Sequence, residues 1–176
     1  MKRILVVLVF TIISLNTLAL DLWVKGGVVQ GTGSKKIEEL GYNAGLELSQ
    51  DFLGFVDLGA GVAYNGNLKY ETTSNQRNVG YDVVPLYAFA KFNIIPIVVK
   101  SYVVTRLGKS FVVNDDTNYT NVSKADGGVY GAFGIGIEFL DSLQGEILYS
   151  ITEVKNNPSG KDNVELVSLT LGYNFF

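Results

Sequence analysis

A chain of 176 residues with 14 basic and 17 acidic side chains has room for one domain and lacks the basic surplus of a nucleic-acid binder. It contains no histidine and no cysteine, which removes the commonest general base, the commonest metal ligand, disulfides and thiolate metal sites. Twenty glycines, three prolines and 12% aromatic residues suit an all-β chain.

Lys2 and Arg3 precede an apolar run at 4–15, and Thr17-Leu18-Ala19 supplies small residues at the spacing of a cleavage site. This is the pattern of a secretory signal peptide over 1–19, cleaved near Ala19. The run is shorter than the ~20 residues a membrane-spanning helix needs. Removing it leaves 12 basic and 17 acidic residues, a charge of −5, on a single exported domain over 20–176.

From there the chain alternates apolar and polar residues in eight segments, the period of a strand with one greasy face. They cover residues 20–30, 40–49, 55–64, 79–92, 97–110, 128–140, 143–154 and 164–176. In the second, Leu40, Tyr42, Ala44, Leu46 and Leu48 oppose Gly41, Asn43, Gly45, Glu47 and Ser49. In the sixth, Val129, Phe133, Ile135 and Ile137 oppose Tyr130, Ala132, Gly134 and Gly136. The fourth is apolar on both faces; Lys91 favours placing Leu86, Ala88, Ala90 and Phe92 outward, and Pro85 calls for a bulge. Polar loops at 65–78, 111–127 and 155–163, and one after the first segment, alternate with short turns.

The last segment sets Val167, Leu169, Leu171, Tyr173 and Phe175 against Ser168, Thr170, Gly172 and Asn174, and Phe176 follows. Such a closing strand, with long and short connections alternating before it, resembles the small eight-stranded barrels of the OmpA/OmpX-like outer-membrane superfamily. The resemblance implies an all-β, eight-stranded antiparallel up-and-down transmembrane barrel. It also implies that Leu169, Leu171, Tyr173, Phe175 and Phe176 form the C-terminal signal read by the barrel-assembly machinery. Phe176 stands one residue beyond the usual terminal position. The expected location is the outer membrane of a Gram-negative-type bacterium, with outer-membrane lipid as a partner.

Inward phases are rich in glycine and carry charges of both signs. Lys25 faces Glu47 on the neighbouring strand, Lys91 neighbours Asp57, and Lys100 neighbours Glu138 with Glu146 one strand on; Arg106 shares the inward phase of Lys100. Charges in a barrel interior must be paired or hydrated, so these eight residues are expected to form a network that plugs the bore. Three functional classes follow. The leading one is a non-enzymatic barrel with a structural role, or with extracellular ligands at its loops. The second is a narrow, porin-like channel for ions or small solutes, and the third a periplasmic lipocalin-like barrel. No catalytic residue, cofactor or metal site is expected.

Overall fold

In a computed structural model, residues 20–32, 40–52, 54–72, 77–94, 99–115, 126–139, 142–156 and 160–175 are described. The expected leader, 1–19, and Phe176 lie outside them. Eight strands run in chain order: β1 (Leu20–Gly31), β2 (Gly41–Phe52), β3 (Val56–Thr72), β4 (Arg77–Ile94), β5 (Lys100–Asp115), β6 (Asp126–Phe139), β7 (Leu143–Asn156) and β8 (Gly160–Asn174). Each pairs antiparallel with the next, and β8 returns to β1 with Lys25 opposite Gly172 and Val28 opposite Leu169. The sheet is a closed barrel, and through the band where every strand pairs with both neighbours no edge is left open, the arrangement that hydrocarbon surroundings would require.

The alternation read from the sequence sets which way each side chain faces. Leu107 is 69% exposed, Leu171 66% and Ile135 58%, whereas Trp23, Lys25, Tyr102 and Glu146 in the opposite phases are buried. The fourth segment follows the phase expected from Lys91: Leu86 and Phe92 face out, Tyr87, Phe89 and Lys91 face in. Going up from the tight-turn end, the outward face stays largely apolar for about ten residues per strand. It then meets Gln30, Tyr42, Tyr64, Asp82, Glu153 and Glu165. Ten residues of tilted strand span a hydrocarbon layer. Lys109, outward on β5, lies with its ammonium 5.2 Å from the Phe111 ring centre, a cation leaning along an apolar wall.

The strands outrun the segments expected from sequence. Residues 65–72 and 77–78 continue β3 and β4, residues 111–115 continue β5, and β7 and β8 stay paired up to Asn156 opposite Gly160. The expected loops 65–78 and 155–163 are therefore largely ladder, and the expected loop 111–127 is ladder at both ends, with 116–125 outside the described residues. Beyond the apolar band, polar residues on both faces are no obstacle to pairing, so hydrophobic alternation ends while backbone hydrogen bonding goes on.

The irregularity expected at Pro85 sits earlier in the strand. The β4–β5 register shifts between Asp82 and Val83, and Pro85 stands opposite Ser110. A second shift on β3 lies between Asn65 and Leu68, where Asn67 has φ 60°. Asp82 holds this corner: it accepts from the Tyr64 hydroxyl at 2.7 Å and from the Asn67 backbone N–H at 3.0 Å. At the opposite end Gly54, with φ 75°, donates its N–H to Asp51 at 2.7 Å, closing the β2–β3 turn.

Candidate functional site

The inward residues of β1 mark the layers of the bore from the terminal end upward: Asp21, Trp23, Lys25, Gly27 and Val29. At the mouth is an open vestibule of about 380 Å³, walled in part by Asp21, Asp57, Asn93, Lys100, Glu138 and Asn174. Asn174 donates to Asp21 at 2.9 Å and Asn93 to Asp57 at 3.4 Å. Lys100 stands 3.9 Å from Glu138 but keeps 54% of its side-chain surface exposed, so this is a surface pair rather than a plug.

Above the vestibule the bore is filled. Lys91 is fully buried. Its backbone lies opposite Asp57, as the sequence suggests, yet its ammonium reaches Gln144 Oε1 at 3.2 Å instead. It also lies 5.0 Å from the Trp23 ring centre, 5.1 Å from that of Tyr102 and 5.5 Å from that of Phe89. The expected Lys91–Asp57 pair is thus replaced by an aromatic cage. Three rings inside the barrel offer the cation a better enclosure than a half-exposed carboxylate at its mouth.

The next layer joins four charges across the bore. Lys25 Nζ is 2.6 Å from Glu47 and 3.3 Å from Glu146, and Arg106 Nη2 is 2.6 Å from Glu47 and 2.5 Å from Glu146. Both carboxylates take a further hydroxyl: Tyr87 donates to Glu47 at 2.9 Å and Tyr102 to Glu146 at 3.3 Å. The Arg106 guanidinium also stacks 5.1 Å from the Tyr87 ring centre. Glu146, expected near Lys100, is held instead by Lys25 and Arg106. Two cations and two carboxylates alternate around one closed circuit, the arrangement in which buried charges are tolerated.

Glycines make room for this packing, and the register shows where. Gly61 is opposite Tyr87, Gly59 opposite Phe89, Gly136 opposite Tyr102 and Gly172 opposite Gln144. A Cβ on Gly61 would stand 2.7 Å from Glu47 and 2.8 Å from the Tyr87 ring, so these long side chains lie flat over bare backbone.

Higher still, past a small polar cavity, Val29, Leu68, Val83, Val154, Val164 and Leu166 pack into an apolar cluster, each no more than 5% exposed. Sequence reasoning singled out none of these six, nor Trp23, Tyr87, Tyr102 or Gln144, as site residues. The facing glycine–aromatic pairs were the available signal for the tyrosines. Leu68 falls in what reads as a loop. Of the expected C-terminal signal, Leu169, Leu171, Tyr173 and Phe175 all face outward, between 48% and 66% exposed.

No protein-family model and no curated protein matches the sequence. Solved structures do resemble the fold. Neisserial surface protein A is 13% identical, with a TM-score of 0.59 over 88% of this chain and 95% of its own. OprG from Pseudomonas aeruginosa is 13% identical, with a TM-score of 0.55 over 89% and 96%. Ail, the attachment invasion locus protein of Yersinia pestis, is 12% identical, with a TM-score of 0.53 over 90% and 100%. The fold is that of small eight-stranded outer-membrane barrels.

Proposed function

We propose that this chain is a non-enzymatic outer-membrane protein whose bore is a structural plug and whose dealings with its surroundings run through the long-hairpin end. The supporting observation is that two seals of opposite chemistry stand in series. Below is the charge circuit of Lys25, Glu47, Arg106 and Glu146, and above it the apolar cluster around Leu68 and Leu166. Ions crossing the barrel would have to break the first and dehydrate through the second. The carboxylates of this layer are each committed to two cations.

The proposal includes export on the leader at 1–19, assembly through the closing strand and residence of 20–176 in the outer membrane. It favours a membrane barrel over a periplasmic lipocalin-like one, because residues such as Leu107, Val129 and Leu171 present apolar surface outward. A channel keeps one point in its favour: the vestibule, where Asp21, Asp51, Asp57 and Glu138 outnumber Lys100, would gather cations. Among the described residues the buried acids above the vestibule, Glu47 and Glu146, are both held by Lys25 and Arg106.

The test is display of the intact barrel on cells, scoring attachment to immobilised glycans, matrix protein and bare glass. Replacing 116–125 and 73–76 by short turns should reduce attachment to at least one surface without loss of the barrel. Equal attachment by cells displaying the intact barrel, the trimmed barrel and no barrel would remove the surface role.

A further inference from the structure

Between the charge circuit and the apolar cluster lies a small cavity of about 20 Å³, room for one water-sized or monatomic species. Its wall is not electrically even. Lys25 and Arg106 line it, whereas neither Glu47 nor Glu146 does. The polar remainder is neutral: the amides of Asn43 and Asn65 and hydroxyls including Ser150 and Thr170. Asn43 donates to Asn65 at 2.5 Å, so those two amides are partly committed to each other.

Two lining groups, both more than nine-tenths buried, have no hydrogen-bond partner among the described residues: Arg106 Nε and Thr170 Oγ1. One is an obligate donor and the other a rotatable hydroxyl able to donate. Among the described residues the buried charged side chains are Lys25, Lys91 and Arg106 against Glu47 and Glu146, and Lys91 lies on the vestibule side of the circuit.

We propose that the cavity is a binding site for a single monovalent anion of chloride size. A water molecule would meet the same two donors, but an anion also answers a wall whose charged side chains, Lys25 and Arg106, are both cations. An oxyanion such as sulfate exceeds the volume. The ion would enter as the barrel closes during folding, because the charge circuit and the apolar cluster bar it afterwards. Bound there it would hold Arg106 from its Nε edge while Glu47 and Glu146 hold Nη2.

The experiment uses the full barrel refolded separately in sodium chloride, bromide and gluconate at matched ionic strength. Crystals grown from the bromide preparation should show an anomalous peak in the cavity, in contact with Arg106 and Thr170. Melting temperature should rise with halide in a saturable way and not with gluconate. Thr170→Val, close in shape but without the hydroxyl, should weaken the halide effect about tenfold, the loss of one hydrogen bond to a charged species. Ser150→Ala serves the same purpose should that variant fail to fold, and the diffraction result needs no variant. A cavity holding only water in bromide crystals, or equal melting in bromide and gluconate, would overturn the proposal.

Discussion

Arg106→Met removes the guanidinium that Glu47 and Glu146 share while keeping much of the side-chain volume. Arg106 Nη2 is 2.6 Å from Glu47 and 2.5 Å from Glu146, and those residues are 1% and 2% exposed, so water cannot take its place without reopening the bore. Two unit charges about 4 Å apart attract by about 4 kcal/mol at an effective dielectric near 20, an upper guide because desolvation offsets part of it. Lys25 remains beside both carboxylates and softens the loss. Breaking one side of a buried pair costs about 3–5 kcal/mol, and the variant should fall in that range. The assay is urea unfolding of the barrel in lipid vesicles, followed by the fluorescence of Trp23, the only tryptophan in the chain, which is 3% exposed in the layer below. Adding Glu47→Gln should restore part of the loss, because it removes one stranded charge and leaves Glu146 to Lys25. A cost under about 1 kcal/mol, or a double variant as unstable as the sum of the two singles, would refute the shared circuit.

Ile135→Arg puts a charge on the lipid side of β6 and should cost about 2–4 kcal/mol, read by folding into vesicles. Gly134→Arg instead drives a side chain inward against β7, so cysteine labelling at 134 and 135 must report opposite faces. Gly136→Val should displace the Tyr102 ring from bare backbone and cost about 1–3 kcal/mol, seen as lost stability and a changed Trp23 emission. Lys100→Ala should change stability by less than about 1 kcal/mol, since the Lys100 side chain is more than half exposed; a larger loss would place Lys100 inside the plug.

The faces of the strands were legible in the sequence because a period of two leaves no intermediate choice. Once Lys91 is placed inside, Leu86 and Phe92 must lie outside, and they do. Strand tops were not legible. Hydrophobic alternation marks only the apolar band, whereas the ladder from Leu68 to Thr72 and back from Arg77 answers only to backbone pairing. Lys25 and Glu47 could be placed together because they sit on adjacent strands at nearly opposite positions. Arg106 with Glu47, and Lys25 with Glu146, could not: those contacts cross the bore, where side-chain length and rotamer decide the partner rather than register. Lys91 shows the same limit, since register sets it opposite Asp57 and its side chain goes to Gln144.

The central claim is a sealed bore, and ion conductance of the refolded barrel in a planar bilayer tests it most directly. With the charge circuit and the apolar cluster in series, the account predicts no steady current above that of protein-free lipid, at either polarity and in high salt. Opening either layer alone, by Arg106→Met below or by Leu68→Ser above, should leave the other closed and the current still near zero. Long-lived unitary openings in the unmodified protein would contradict the account and make the acidic vestibule the mouth of a cation path.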